Sequence, residues 1–368
     1  MRILVVNVGS STLKLRVVEG GDLDGQVDLD PWAADDDEAL ASALAELGSV
    51  DAVGHRIVHG GPDLAAAVPV DDDLCEKLAE LTLLAPLHQR RALAALAVAR
   101  RERPGVPHVA CFDTAFHAGL PPAARTYALP AEWRRRWPLR RFGFHGLSHA
   151  WAARRGPEVA GGAPARRIVS CHLGAGASLC AVLDGRSVDT TMGFTPLEGL
   201  VMATRSGSVD PGLVLWLLAH TELDAEAVAE GLERSGGLAG LSQTSGDMRE
   251  VLAARAGGDE AAALALAVHT HRLRREVAAM AAALGGLDLV VFTGGVGEHS
   301  PEVRAEAAAG LAFLGVRLDA EANRRAEGDA DLTVPGAPAG AVVVTAREDL
   351  EIARQVRARL DGGIVAYP

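Results

Sequence analysis

Lysine is nearly missing from this 368-residue chain: of 36 basic residues only Lys14 and Lys77 are lysines. Long apolar runs are missing too. The apolar stretch at the N-terminus ends after about six residues, too short for the core of a secretion signal, and no segment approaches the roughly twenty apolar residues of a membrane span. The four cysteines, Cys75, Cys111, Cys171 and Cys180, show no C-x-x-C spacing and sit in apolar contexts, which points to reduced core thiols rather than disulfides or a zinc site. No segment has the low-complexity composition of a disordered tract. A soluble, cytoplasmic protein without a membrane partner is expected. Net charge is −12, which argues against a nucleic-acid partner. One segment runs the other way: "EWRRRWPLRRFGFHG" interleaves arginines with Trp133, Trp137 and Phe142, as a single-strand binding surface does. A surface helix end, or a positive cluster aimed at a small anion, accounts for it as well.

What the chain does have is length for two or more domains and 49% hydrophobic residues with which to fill them. Residues Ile3 to Val8 and Leu13 to Val18 read as strands because they are rich in branched aliphatics, and "NVGSSTLK" places a tight polar turn between them. Backbone N–H groups and hydroxyls gathered in such a turn suit a phosphate, and they equally suit any hairpin. A compact lysine ammonium at Lys14, in a chain that otherwise uses arginine, favours the phosphate. Laid without a gap over "IVSCHLGAGASLCAVLDGR", the first segment pairs Ile3 with Ile168, Asn7 with His172, Gly9 with Gly174, Val17 with Val182 and Gly20 with Gly185. Such a repeat predicts two similarly built domains, each opening on a hairpin.

A third glycine-rich turn follows the strand predicted over Leu287 to Thr293: Gly294, Gly295 and Gly297, then a helix with Ser300 as N-cap and Pro301 in its first turn. Neither the G-x-G-x-x-G of a dinucleotide fold nor a Walker-type loop is present. Ala-rich amphipathic helices predicted over Asp72 to Leu84, Glu260 to Leu284 and Pro301 to Leu311 alternate with strands, the α/β pattern. A hinge is expected near Pro121 and Pro122, and "VPGAPAG" marks a late loop. Arg56, Asp113, His145, His149 and Arg205 sit at strand ends or beside glycine loops, where chemistry is done; an ion-pair arginine, a helix cap and a core histidine are the plainer readings. The pairs His55/His59 and His145/His149 have zinc-site spacing but lack the glutamate of H-E-x-x-H, which excludes a metalloprotease.

Nine segments in order, "NVGSSTLK", "GHRIVHGG", "APLH", "FDTAFH", "GFHGLSH", "CHLGAG", "TMGFTPLEGLVMATRSGSVDP", "TGGVGE" and "EIAR", resemble the motif set of the acetate kinase family from residue 1 to about residue 354. The resemblance implies an α/β fold of two duplicated actin-like (ribonuclease H-like) domains with an ATP cleft between them, expected at 1–115 plus 350–368 and at 116–349. It implies ATP or ADP and Mg²⁺ as cofactors, acetate phosphorylated to acetyl phosphate, and a homodimer. Residue by residue, it implies that Asn7, Ser10, Ser11, Thr12 and Lys14 form the first phosphate turn and His172, Gly174 and Gly176 the second. Gly295, Val296 and Gly297 would form the adenosine pocket, with Asp247 and Arg249 of "SGDMR" also on the nucleotide. Val58, Leu87, Phe144 and Pro196 would surround the acetate methyl, Arg56, Asp113, His145 and Arg205 would be catalytic, and Asn7 and Glu348 would face the magnesium.

Chemistry makes sense of that set. A carboxylate must approach a phosphate, and two unit charges 4 Å apart repel by about 4 kcal/mol at an effective dielectric of 20. Arginine forks cancel that charge bidentately. Arg56 is assigned to the acid, and Arg205 and His145 to the phosphoryl group in flight. An ionised nucleophile needs no general base, so Asp113 is expected to orient an arginine or a magnesium-bound water. Several positions depart from the family pattern: Ala175 for Asn, Gln89-Arg90-Arg91 after "APLH", Met248 for Phe, His299 for Asn, and Ala346, Arg347 and Asp349 around Glu348. These leave open a kinase of propionate or another short acid. An actin-like or heat-shock-type ATP switch is the alternative of another class, against which stand the two arginines that a water acceptor would not need.

Overall fold

The structure is a computed structural model and describes residues 1–9, 12–162 and 164–363. Two compact units divide the chain: Met1–Ala118 with Phe144–Trp151 and Arg347–Pro368, and Gly119–Gly143 with Ala152–Ala346. The chain leaves the first unit just before the Pro121-Pro122 pair. No helix among the described residues is long and apolar enough to cross a membrane.

In the first unit six strands, β1 Arg2–Val8, β2 Leu13–Glu19, β3 Asp22–Leu29, β4 Ala52–Ile57, β5 Val68–Pro69 and β6 His108–Phe112, form one sheet in the order β3-β2-β1-β4-β6-β5. β1 is antiparallel to β2 and parallel to β4, and β4 is parallel to β6. In the second unit β7 Arg167–Leu173, β8 Ala177–Leu183, β9 Arg186–Thr190, β10 Leu289–Thr293, β11 Ala330–Asp331 and β12 Gly340–Val343 repeat that sheet strand for strand, as β9-β8-β7-β10-β12-β11 with the same directions. The fold is therefore the duplicated α/β class. Even an irregularity repeats: the second strand of each copy is bulged, at Val17/Val18 and at Ala181/Val182.

The gap-free overlay needs one correction. Val8 pairs with Leu13 but Leu173 pairs with Ala177, so the second turn is one residue shorter. Val17 thus corresponds to Ala181 rather than to Val182, as the shared bulge also requires. Three element ends also shift. The helix expected to reach Leu84 stops at Glu80 and tightens to a 3-10 turn over Leu81–Leu84, because Ala85, which precedes Pro86, leaves the helical region (φ −151°, ψ 64°). β10 starts at Leu289, since Asp288 instead accepts from the backbone N–H groups of Arg166 and Arg167 (3.0 and 2.8 Å). A six-residue helix, Gly294–His299, occupies the glycine turn, and Ser300 precedes Pro301–Ala309 without making a side-chain cap bond.

Both faces of the first sheet are buried, which is why its strands read as continuous apolar runs. Along β1, Leu4, Val6 and Val8 pack with Leu40, Leu44, Ala95 and Ala99, while Ile3 and Val5 pack with Ile352, Ala353 and Val356. Gly54 on β4 lies under the last group: a Cβ there would stand 2.5 Å from Ile352 Cγ2. Its absence lets the helix Glu348–Leu360 come close to the sheet.

Inside this core His55 Nε2 and His108 Nδ1 are 2.9 Å apart with stacked rings, and His108 Nε2 lies 3.3 Å from the Arg103 carbonyl. One set of protons satisfies the chain: His108 donates to the carbonyl and His55 donates to His108, both rings neutral. Burial, with each other's charge and that of Arg100, holds the His55 imidazole well below its usual range, and burial does the same more weakly to His108. An unfolded histidine takes up a proton near pH 6.5 that the folded pair refuses, so stability rises with pH in that window. Urea unfolding should show stability falling as pH drops below about 6.5, and His55→Phe, which keeps the ring and removes the titration, should flatten the slope; an unchanged slope would contradict the assignment.

Candidate active site

The carboxyl ends of the three adjacent parallel strands β1, β4 and β6 bring together Asn7, Arg56 and Asp113. Arg56 donates from Nε to Asp113 Oδ1 (3.1 Å) and from Nη2 to Asp113 Oδ2 (2.7 Å), a bidentate pair. It also donates from Nη1 to Asn7 Oδ1 (3.1 Å), while Asn7 Nδ2 donates to Glu348 Oε2 (2.8 Å). Glu348 Oε2 lies 3.7 Å from Arg56 Nη1, and it comes from the first turn of the helix that Gly54 admits. Three of the five guanidinium N–H groups are thereby used, leaving one on Nη1 and one on Nη2.

Burial raises the Asp113 carboxyl above its ordinary range, opposed by Arg56 and by the His145 backbone N–H. Burial also depresses Arg56, but Asp113 and Glu348 outweigh it and the net direction is up. The two directions pull the pair opposite ways, and we take it as ionised. A guanidinium keeps its proton in proteins, and both Asp113 oxygens accept charge-assisted bonds from it. His145 itself has φ +55°, a strained left-handed conformation for a non-glycine residue. The next residue, Gly146, donates its N–H to the Asp113 carbonyl (2.9 Å); a Cβ there would lie 2.1 Å from that oxygen. Backbone approach thus locks the His145 segment against Asp113. Val58 and Phe144 are buried in the same unit, and the Phe144 ring meets the His59 ring edge-on at 5.5 Å. The side chain of Leu87, and Ser10 and Ser11 entirely, lie outside the described residues. In the first turn Gly9 donates to the Thr12 carbonyl (2.8 Å), and Lys14 is exposed opposite Asn7.

The second unit carries the other predicted residues. Arg205 is half-buried and donates from Nη1 to the Pro196 carbonyl (2.6 Å); among the described residues no carboxylate forms an ion pair with it. Burial lowers its pKa, with Glu233 opposing from a distance. A cavity of about 630 Å³ in this unit collects Gly174, Asp247, Arg249, Gly295 and Val296. Gly294 forms its turn at φ +79° close against Leu173, where a Cβ would meet the carbonyl at 2.7 Å. Asp247 caps the helix Met248–Ala256 and pairs with Arg249, which lowers its carboxyl. Gly176 closes the second turn by accepting from Gly174 N–H (3.1 Å), and His172 lies on β7 beside Thr293 of β10. His172, Gly176 and Gly297 do not line the cavity. Three of the departures, Ala175, Met248 and His299, do. Sequence reasoning missed two further wall residues, His269 and Ser300. His269 is a single histidine on the buried face of the helix Glu260–Ala283, and Ser300 was read as a cap, so neither carried a distinguishing signal.

The arginine-tryptophan segment is divided in use. Trp133 and Trp137 are about half exposed, with Arg136 over the Trp137 ring at 4.7 Å, but Arg141 turns inward to Glu198 (2.7 Å).

Two copies of one sheet, each opening on a hairpin with a glycine turn, together with a buried arginine–aspartate pair and a glycine-lined cavity, define a kinase of duplicated α/β architecture. The chain belongs to the acetokinase family, whose family model matches residues 37–354. Acetate kinase of Clavibacter michiganensis subsp. michiganensis (strain NCPPB 382) is 46% identical over 333 residues, 88% of this chain and 84% of that protein. The crystal structure of Porphyromonas gingivalis acetate kinase matches with a TM-score of 0.89 at 33% identity, over 98% of this chain and 99% of that one. A propionate kinase from Francisella tularensis subsp. tularensis SCHU S4 matches with a TM-score of 0.87 at 32% identity, over 96% and 98%.

Removing one partner of a buried ion pair costs more than the pair contributes, because the other charge is stranded. Asp113→Asn should lower unfolding free energy by about 3 kcal/mol, measured by urea denaturation, whereas an equivalent change at the exposed Asp72, paired with Arg100, should cost under about 1 kcal/mol. Equal effects at the two positions would show that the Arg56 pair is not structurally special.

Proposed function

We propose that this enzyme phosphorylates acetate from ATP, reversibly, giving acetyl phosphate and ADP by direct in-line transfer. A carboxylate oxygen attacks the γ-phosphorus, the bond to the bridging oxygen breaks, ADP leaves, and no proton need move. The observation that carries this reading is that both assigned arginines have charge to spare: Arg56 keeps two N–H donors beyond its own partners, and Arg205 has only a carbonyl. Arg56 takes the acid carboxylate, and Arg205 with His145 takes the transferring phosphoryl group. Asp113 holds Arg56 in plane; with Arg56 and the His145 N–H on its oxygens it is poorly placed to accept a proton. Val58, Leu87, Phe144 and Pro196 surround the methyl. Thr12, Lys14, Ser10, Ser11, His172, Gly174 and Gly176 hold phosphates, and Asp247, Arg249, Gly295, Val296 and Gly297 hold the nucleoside.

The hard oxygens of Glu348 and Asn7 fit Mg²⁺, which takes one or two carboxylates and fills its shell with water and phosphate. Among the described residues there is no cluster of three or more metal-binding side chains, so the nucleotide itself would supply much of the coordination. When bound, the ion would neutralise charge on the β- and γ-oxygens. We place the enzyme in a reducing cytoplasm: none of the four cysteines is in a disulfide, and burial pushes the Cys180 thiol up to about 12.

We also assign a homodimer, supported by the helix Pro211–His220. It is apolar on every side, yet Leu213, Leu215, Trp216 and Leu218 are all at least 40% exposed, a patch that monomers rarely leave open.

Steady-state kinetics with hydroxylamine trapping of the acyl phosphate should show acid-dependent ADP release, fastest with acetate across the two- to four-carbon acids. Faster turnover of propionate would move the assignment to the propionate branch, one methylene being worth only about 1 to 3 kcal/mol; turnover indifferent to any acid would indicate an ATP switch. Arg205→Ala should lower transfer by about 10³-fold while calorimetry still detects ADP binding. Leu215→Asp should convert the dimer to monomer in sedimentation velocity, and a wild-type monomer would refute the dimer.

A further inference from the structure

Two buried polar atoms in the wall of the second unit's cavity have no hydrogen-bond partner: His269 Nε2 and Ser300 Oγ. Both residues are more than nine-tenths buried. The state of His269 follows from its other nitrogen. Nδ1 lies 3.1 Å from the Val201 carbonyl, which only accepts, so Nδ1 carries the proton and Nε2 is a bare acceptor. Burial keeps the ring neutral, the Val201 bond opposing. Ser300 heads a helix it does not cap, so its hydroxyl is free to donate or accept. A buried acceptor left unpaired costs about 1–3 kcal/mol, so such an atom calls for an explanation.

The rest of the cavity says which part of a ligand reaches these atoms. Val201, Met202, Leu238 and Met248 are buried apolar wall residues, suited to the faces of a flat ring and, at the methionines, to sulfur–aromatic contact. Asp247, Arg249 and Glu302 are, by contrast, the charged members of the wall, and Arg249, 90% exposed, suits with Asp247 a sugar and phosphates. The heterocycle therefore belongs against the buried wall residues, with His269 and Ser300 among them.

We propose that His269 is a specificity-determining residue for the nucleotide: its Nε2 accepts a hydrogen bond from the exocyclic amine of the purine, while Ser300 Oγ donates to the adjacent ring nitrogen. This rests on the ATP-dependent reading above. It adds to that reading a selection for an amino-purine, made by two neutral side chains among the buried wall residues.

The probe that isolates the contact is purine ribonucleoside triphosphate, which lacks the amine and gains no donor. Inosine and guanosine triphosphates are less informative, because each brings an N1–H that the same acceptor can take. The wild-type enzyme should prefer ATP over the purine analogue by about ten-fold or more in kcat/KM, the effect of leaving Nε2 unpaired. Calorimetry of ADP against purine riboside diphosphate should give the same ratio in Kd. In His269→Phe, which has no acceptor at this position, the preference should shrink to within about two-fold, and Ser300→Ala should weaken both nucleotides alike. If His269→Phe folds, as judged by circular dichroism, and keeps the full preference, the assignment is overturned. Should that variant not fold, the wild-type comparison decides: indifference to the amine overturns the proposal. A protein that turns over ATP with acetate yet ignores the amine refutes this inference alone, whereas one that binds neither nucleotide refutes the kinase reading beneath it.

Discussion

A guanidinium taken out of water has to be paired, and Arg56 is paired so that part of it stays available. Asp113 takes the Nε–Nη2 edge, Asn7 takes one N–H of Nη1, and Glu348 stands just beyond hydrogen-bond range. That arrangement ties together β1, β4, the end of β6 and a helix more than three hundred residues along the chain. It needs Gly54 to let the helix approach and a strained His145 to bring its N–H to Asp113. Nothing here is a surface ion pair of small worth; with Asp113 1% exposed and Arg56 14%, the local dielectric is low and the charges are held in one geometry. A rigid cation with donors left over is what a reaction between two anions requires, because the enzyme then does not reorganise as charge moves.

The duplicated sheets show how one architecture has been put to two uses. Asn7 corresponds to His172, which pairs across to Thr293, so Thr293 stands where the first copy has Arg56 one step beyond the Val6–His55 pairing. Continuing across β12, the position of Asp113 falls at Ala346. The second copy thus has no charge at the two positions that carry the ion pair in the first. In the place of that pair it has Gly294 at positive φ, followed by Gly295 and Val296 on the cavity wall. On the proposed reading, charge was kept where an anion is gripped, and open backbone where a nucleoside is admitted. The turn shortened by one residue in the second copy belongs to the same divergence.

Much of this was legible in the sequence, for identifiable reasons. The hairpins could be read because both sheet faces are buried, so their strands are unbroken branched-aliphatic runs around a glycine turn. The repeat was visible because the bulge and hairpin ends recur with the sheet. Arg56 and Asp113 stood out as charged residues at the ends of such runs. What stayed hidden depends on three-dimensional neighbours. The extra helix in the glycine turn could not be seen because glycines advertise a loop whether or not a helix begins there. Asp288 was read into a strand because nothing local says that it will clamp Arg166 and Arg167. His269 lies in a 24-residue helix whose alanine-rich sequence gives no reason to prefer one histidine over another.

A place in the lining of a cavity, together with an unpartnered nitrogen, is what separates His269 from His55. His55 is also orphaned at one nitrogen, but it lies between packed strands and its other nitrogen completes a chain through His108 to a carbonyl. His269 likewise has one nitrogen committed, to a carbonyl, and the other bare, but His269 lines a cavity. A bare imidazole nitrogen is therefore a structural cost at His55 and, as proposed, a recognition element at His269. On the reading proposed above, it is reasonable physics that the base is met by neutral groups. A charge at that depth would have to be paired by the protein itself, and would then have nothing left to offer the ligand.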